Sequence, residues 1–296
     1  MKSKSRDSMV TQSKNQSPTF SIITPSYNML QFLPLCCHSV SDQKVDYEHI
    51  VVDGGSTDGT VDWIRKDSGV VSLSEKDDGM YDAINKGLRI STGEIVSYLN
   101  CDEQYLPGVL QRVAEIFAHN SKIDLLFGNT LLIRPDGKLL AYRKSFVPRW
   151  PYIWGSDLYL QSSSMFVRRR VFESGIMFDE SWKAIGDADF VVRALRKGFS
   201  ACHVNEYFSA FMITGTNLGA GKRADMELKA FRKRAPVWLR YSTFIIKMLV
   251  RFEKFWHSAY WESMPLAYSI YTIDNSSVRS EFVAGSASSF YPKGKK

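Results

Sequence analysis

The sequence predicts an α/β protein whose mixed, mainly parallel sheet is flanked by helices. Three observations carry this. From residue 20, short β-rich runs alternate with helical patterns, which is the signature of a parallel sheet. After residue 128 a Pro135-Asp-Gly137 turn between two apolar runs marks an antiparallel hairpin, so the sheet becomes mixed. The composition, 44% hydrophobic and 23% charged over 296 residues, is that of a globular chain with a full core, either one large domain or a domain with an appendage.

The elements follow in order. Phe20 to Thr24 reads as the first strand, and Pro25 and Asn28 mark a turn into a helical stretch. Tyr47 to Asp53 is the second strand, ending on a carboxylate before a Gly-Gly turn, with a helix near 60–66. Val70 to Ser74 is the third strand, Met80 to Arg89 the next helix, and Glu94 to Asn100 the fourth strand. Pro107 suits the first position of a helix reaching about Ala118. Ile123 to Gly128 is a fifth strand, and 131–134 with 138–143 form the hairpin. Leu158 to Val167 reads as a strand, a helix carrying Asp187 and Asp189 runs to Lys197, and Ala201 to Val204 is a last short strand. Segment 214–222 (TGTNLGAGK) reads as a mobile glycine-rich loop. Residues 1–18 are polar and expected to be disordered, and 272–296 likewise. The main domain is therefore expected over 19–222, with a basic helical extension over 223–271.

Charge and cysteine usage narrow the class. The net charge of +7 sits entirely in the tail: residues 222–296 carry fourteen Lys or Arg against six Asp or Glu, leaving 24 against 25 in the rest. A neutral body with a basic appendage points to a catalytic or binding module with an anionic docking surface. Nucleic acid is disfavoured as a partner, because the tail's aromatics fall on an apolar helix face rather than between its cations. Four cysteines, with Cys36 and Cys37 adjacent and Cys101 and Cys202 distant, make neither a disulfide framework nor a CxxC metal spacing, which fits a reducing cytosol. No stretch is long and apolar enough to span a bilayer, and no apolar export signal opens the chain.

In open parallel sheets ligands bind beyond the carboxyl ends of the strands, and here those ends are polar. The first ends in Thr24-Pro25-Ser26-Tyr27-Asn28 and the second in Asp53-Gly54-Gly55-Ser56-Thr57-Asp58-Gly59. The third ends in Glu75-Lys76-Asp77-Asp78-Gly79, the fourth in Asn100-Cys101-Asp102-Glu103. Asp53 can accept hydrogen bonds from a base or ribose beside a backbone that Gly allows a ligand to approach. Asp102 follows a very apolar strand, and one desolvated carboxylate is sufficient for Mg²⁺ or Mn²⁺ when substrate phosphate completes the shell. Asp78 is a candidate for ribose or base, Gln161 for the sugar, and Lys222 with Arg223 for a diphosphate clamp swung in on the glycine-rich loop. Local patterns alone leave a turn role for the Asp53 run, and helix capping for Asp102 and Asp187, as open alternatives. Arg168-Arg169-Arg170 reads as a solvated helix start and His203 as a core histidine.

Five segments, TPSYN, VVDGGSTDGT, EKDDGMYDAINKGLRISTGEIVSYLNCDE, LQSSSMFVRRRVFESGIMFDES and GDADFVVRALRKG, fall in order over residues 19–215. In that order and spacing the chain resembles the family 2 glycosyltransferases of GT-A fold, in particular bacterial members that build surface polysaccharides. The resemblance implies inverting transfer of a sugar from a nucleotide diphosphate sugar, UDP-sugar favoured, to a saccharide or lipid-linked acceptor. It places Asp53 near the base, Asp102 on the divalent cation and Asp187 as the general base. Thr24, Pro25, Tyr27, Asn28, Gly55, Ser56, Asp58, Asp78, Asn100 and Gln161 fall in the segments that would surround the nucleotide sugar. The chain departs from the family pattern at Asn100, where the first Asp of a DxD motif would stand, and at Gly54, where a second Asp is usual. Only one of Asp187 and Asp189 can point into a site from one helix.

The tail carries its own pattern. After Pro236, at 100° per residue, Arg240, Lys247, Arg251 and Lys254 share a stripe ~60° wide. Trp238, Tyr241, Phe244, Ile245, Met248, Phe252 and Trp256 fill the opposite face. Such a helix lies in the headgroup region of an anionic leaflet, which would make the protein cytoplasmic and peripheral on the inner membrane face. The same face would equally pack on the catalytic domain or in a homodimer.

Overall fold

The computed structural model describes residues 19–67, 69–215, 217 and 221–290. The expected disordered segment 1–18, residues 216 and 218–220 of the glycine-rich loop and residues 291–296 of the expected disordered tail lie outside them. Eleven strands are found among the described residues, nine of them in one sheet ordered β3-β2-β1-β4-β8-β6-β9-β5, with β7 paired to β6. The first half is parallel: β1 (Phe20–Ser26), β2 (Tyr47–Asp53), β3 (Val71–Ser74) and β4 (Ile95–Tyr98). The second half is mixed. β8 (Met165–Arg168) runs antiparallel to β4 and to β6 (Leu125–Ile133). β9 (Ala201–Met212) runs parallel to β6, and β5 (Glu103–Tyr105) and β7 (Leu139–Arg143) close the edges.

Strand periodicity divides the core. Phe20 and Ile22 point to the side covered by α1 (Leu33–Ser41) and α4 (Val109–His119), while Ile23 points to the other, under α3 (Met80–Ile90) and α7 (Gly186–Arg196). Each such apolar side chain, at 0% exposure, contributes ~1.5 to 3 kcal/mol on burial. α3 lies unusually close to the sheet because Gly87 has no side chain: a Cβ there would stand 2.6 Å from Ile23 Cγ2. The next shell on this face is α5 (Trp150–Gly155), which packs on α7, and α10 (Thr243–Trp256), which packs on α5.

Several boundaries differ from the sequence reading. The fifth strand and the first arm of the hairpin are one nine-residue strand, β6, because its burial is unbroken from Leu125 to Ile133. Residues 158–164 contain no strand, only a single 3-10 turn at Ser162–Ser164 before β8. Gly108, with φ 72°, caps α4, so the helix starts after Pro107 rather than on it. The strand expected over 201–204 runs on to Met212. The extension holds three helices, α8 (Lys222–Lys233), α9 (Val237–Tyr241) and α10, with Ser242 between the last two. The largest correction is at the C-terminus, where composition predicts no structure after 272. β10 (Leu266–Thr272) and β11 (Asn275–Ala284) form a hairpin. Its Tyr268, Ile270 and Tyr271 are buried against the α1 side, and Arg279 pairs with Asp42 at 2.5 Å.

Candidate active site

Because β1, β2, β3 and β4 are parallel, their carboxyl ends share one edge, and backbone bonds fix the loops there. Gly54 N–H donates to Ser26 O at 2.8 Å and Glu75 N–H to Asp53 O at 3.0 Å. The Cys101 thiol donates to Pro25 O at 3.3 Å, tying the NCDE segment to the end of β1.

Asp53 is wholly buried. One oxygen, Oδ2, accepts from Gly55 N, Ser56 N and Ser74 Oγ at 2.9–3.1 Å, while Oδ1 is buried with no partner. A buried carboxylate oxygen left unpaired is costly and is the group a ligand donor would satisfy. Beside it, a Cβ on Gly54 would fall 2.3 Å from Asp77 Oδ2. The position where a second Asp is usual is thus filled from the next loop by the Asp77 carboxylate. Asp78, the sequence candidate, is exposed, and only its backbone is engaged, with Asp82 and Lys183. Asp77 is the residue that local reading missed, although it stands in the same EKDDG run.

Asp102 follows β4 on the tied segment. Its Oδ2 accepts from the Asn217 side-chain amide at 2.7 Å, and its carbonyl holds Met212 N at 2.9 Å. Burial raises its carboxyl to about 6. The adjacent Glu103, fully enclosed, is pushed up to about 8 by burial, then by the negative field of Asp102 and to a lesser degree that of Asp187. Its Oε2 accepts from Asn100 N at 2.7 Å, so Asn100 braces Glu103 through its backbone. No cluster of three His, Cys, Asp or Glu is found among the described residues. Asp102 nonetheless fits a hard divalent ion: its oxygen is desolvated, and a cation there would relieve the burial that raises it, with substrate oxygens and water completing the shell.

Asp187 opens α7. Tyr81, from the first turn of α3, accepts from Asp187 N at 3.2 Å, and its hydroxyl lies 3.4 Å from Asp187 Oδ1. Ala188 N donates to the same Oδ1 at 2.8 Å. Burial lifts the carboxyl to about 6, against the opposing pull of these bonds. Gly186 admits Tyr81 at this spot, since a Cβ would come within 2.7 Å of its ring. Asp189 points elsewhere, its Oδ2 held by Arg193 Nε at 2.6 Å, whereas Asp187 has no ion-pair partner among the described residues.

Other sequence candidates have structural work. Thr24 is fully buried, and its hydroxyl bonds to His49 Nε2 at 2.8 Å inside the core, so its side chain is not at the lip. Pro25 is buried below the lip and Tyr27 stands 63% exposed on it. Asn28, at φ 51°, clips the two loops: its N–H donates to Ser56 Oγ at 2.7 Å and its Oδ1 accepts from Thr57 N at 2.8 Å. Asp58 accepts from Thr60 N and Oγ1 at the start of α2 (Thr60–Lys66) and holds Leu30 N at 2.9 Å. Gly55, at φ 88°, is exposed on the lip, and half-buried Gln161 precedes the 3-10 turn. Lys222 and Arg223 open α8 as exposed side chains, Arg223 lying 3.8 Å from Glu227. From the glycine-rich loop it is Asn217, not these cations, that meets the site. Arg168, Arg169 and Arg170 line a groove of about 470 Å³ at the opposite sheet edge, where carbonyls, Glu94 and Asp124 engage them. His203 bonds Asn129 Oδ1 at 3.0 Å and is lowered to about 4 by burial, as a neutral core histidine is.

Asp53 and Asp102 stand at the carboxyl ends of parallel strands and Asp187 opens α7, and the fold that holds them is of GT-A type, shared by solved structures. Staphylococcus aureus TarS 1–349 in complex with UDP aligns with a TM-score of 0.59, at 18% identity over 80% of this chain and 72% of that one. A Pyrobaculum calidifontis mannosyltransferase in complex with GDP-Man and Mn²⁺ aligns with a TM-score of 0.53, at 16% identity over 80% and 76%. The Glycosyl transferase family 2 model matches residues 21–175, and the chain belongs to that family; it is a glycosyltransferase. A PGL/p-HBAD biosynthesis glycosyltransferase of Mycobacterium bovis is 27% identical over 79% of this chain and 90% of its own length. A putative teichuronic acid biosynthesis glycosyltransferase, TuaG, of Bacillus subtilis is 26% identical over 70% and 84%.

Proposed function

We propose that the enzyme transfers a sugar with inversion from a nucleotide diphosphate sugar, a UDP-sugar by preference, to a saccharide or lipid-linked acceptor in cell-surface polysaccharide assembly. The donor preference is supported by the UDP and UDP-GlcNAc named with TarS, and the pathway by the names of the mycobacterial and Bacillus relatives. The observation that carries the reaction type is the Asp187 carboxylate, presented at a helix start, held by Tyr81 and raised to about 6.

In this reading Asp53 Oδ1 accepts a donor group of the base or ribose, and Asp77, beside Gly54, takes the neighbouring position. Asp102 would hold Mg²⁺ or Mn²⁺, which would supply positive charge to neutralise the diphosphate. Asp187 accepts the proton of the acceptor hydroxyl as its oxygen attacks the anomeric carbon. The bond from that carbon to the diphosphate oxygen breaks on the opposite face, so one displacement inverts the centre. A base raised to about 6 is ionised at neutral pH yet more basic than an ordinary carboxylate. Lys222 and Arg223 serve as the diphosphate clamp only after α8 or its leading loop moves. In this reading the work is done at the cytoplasmic face of the membrane, with the C-terminal helices as the proposed contact.

The test is a panel of nucleotide sugars with the linkage of the product read by NMR, alongside Asp187→Asn. Inverted product from wild type and loss of transfer in the variant support the reading. A retained anomeric centre would refute inversion. Donor binding without transfer or hydrolysis would make the chain a nucleotide-sugar-binding protein, the alternative that the Asn100 and Gly54 departures raise.

A further inference from the structure

α10 divides into three sectors at 100° per residue. Ile246 and Val250 are buried, Ile246 lying against Gly155 of α5. On the adjoining sector stand Lys247 and Arg251, continued by the exposed Arg240 of α9. The remaining arc, about 140° wide, holds Phe244, Ile245, Met248, Leu249, Phe252, Phe255 and Trp256, seven of the helix's fourteen residues, all exposed. Phe244 is 75% exposed and Trp256 72%. Scattered apolar side chains on a surface are ordinary, whereas a contiguous aromatic arc of this width marks a contact surface.

We infer that this arc is a monotopic membrane-docking face whose occupant is the headgroup and upper acyl region of an anionic phospholipid leaflet. The charge distribution selects that occupant. Glu253 is the one acid in α10, and it lies off the aromatic arc with its carboxylate 2.7 Å from Arg149. The rim beside the arc, half-buried Lys247 with exposed Arg251 and Arg240, is thus cationic, and the helix's one acid is paired. A second copy related by a two-fold axis would meet the same cationic rim, so the surface complements an anionic layer better than itself. Lys254, which the helical wheel places in the stripe, is half-buried, lowered by burial and then by Arg143, and is not part of the docking charge. Among the described residues no helix is long and apolar enough to cross a membrane, so the contact lies in the interface plane. Resting on the proposed function, the inference also narrows the acceptor to one carried by the membrane: α10 packs on α5, and α5 on the Asp187 helix α7, so docking fixes the attitude of the site to the leaflet.

The experiment is flotation of the full chain with phosphatidylcholine vesicles, pure or containing about one third phosphatidylglycerol. Wild type is expected to float with the anionic vesicles and to be released by salt. Neutralising Arg240, Lys247 and Arg251 together to Gln is expected to weaken binding on the order of a hundredfold, about fivefold per cation. Phe244→Ser with Phe252→Ser is expected to abolish binding even at low salt. These side chains are exposed, so unchanged thermal unfolding will verify the fold. Failure of wild type to float, undiminished binding by the Phe pair variant, or a concentration-dependent dimer that the Phe pair variant breaks would each overturn the inference. Donor binding, measured apart, reports on the catalytic reading, and lipid binding is independent of it.

Discussion

Replacing Asp187 by Asn is expected to abolish transfer and, at the same time, to stabilise the protein. The side chain keeps its shape and an oxygen for Ala188 N, but it loses the charge that burial disfavours. Raising a carboxyl from 3.8 to about 6 corresponds to at most ~3 kcal/mol against the charged form. The side chain is half-buried and touches water, so ~1 to 2 kcal/mol is the gain to look for. Its pH dependence is distinctive. Between 3.8 and about 6 the folded wild type binds more protons than the unfolded chain, so its stability falls as pH rises through that window and is flat above it. The variant has no such loss. Urea denaturation of both proteins should therefore show the variant more stable at about pH 7.5, with the difference closing below about pH 4. Transfer should fall by ~10² to 10⁴ with donor affinity within a few fold. A variant that is no more stable at neutral pH, or whose advantage is the same at both pH values, would show that the carboxylate is not held in a desolvated, raised state. Undiminished turnover would remove it from the base role.

The rate of wild type is expected to drop about tenfold per pH unit below about 6, where Asp187 becomes protonated. Tyr81→Phe removes a hydrogen bond that favours the ionised base, while its stacking on Phe178 at 5.6 Å remains. The acid limb should then move to higher pH, with kcat down and donor KM unchanged; an unmoved limb would make Tyr81 a packing residue only. Asp102→Ala is expected to remove the Mn²⁺ dependence of donor binding in calorimetry, and full metal response in the variant would displace the ion elsewhere. Gly54→Asp puts a Cβ 2.3 Å from Asp77 Oδ2, so a loss of ~1 to 3 kcal/mol in stability is expected, partly recovered in Gly54→Asp with Asp77→Gly.

Much of the parallel half was legible, because β1, β2 and β4 are buried on both faces and the loops after them are rich in Gly, Asp and Asn. What escaped was pairing between segments distant in sequence. β5 is three residues long and exists because β9 offers Phe211, Ala210 and Ser209 opposite it. The C-terminal hairpin reads as a polar tail because β11 is largely exposed on one face; its structure comes from β10, whose Ile270 and Tyr271 pack under α1. The site divides in the same way. Asp53 and Asp102 stand out as candidates from their places at strand ends, whereas Asp187 is singled out from Asp189 only by the family resemblance. Asn217 bonds Asp102 from 115 residues away, and nothing local marks it. Thr24 and Asp58 stand in the right loops, yet their hydrogen bonds are spent on His49, Thr60 and Leu30.

The tail shows what periodicity measures and what it omits. A helical wheel sorts side chains by polarity, and on α10 it separates the aromatic arc from the cations correctly. It contains no information on which apolar face the rest of the chain covers. Against α5 the chain sets Leu239 of α9 and Ile246 of α10, both close to Gly155, while Val250 is buried on the same side of α10. Burying the aromatic arc against α5 instead would turn Ile246 and Val250 to solvent. The sequence thus supplies two apolar faces to one helix, and the fold uses the smaller. That leaves the larger one exposed beside its cations. It also means that deleting residues 236–296 is a poor test of docking, since Leu239, Ile246, Val250, Ile270 and Tyr271 would leave the core together. Only substitutions on the exposed arc separate binding to a leaflet from the stability of the domain.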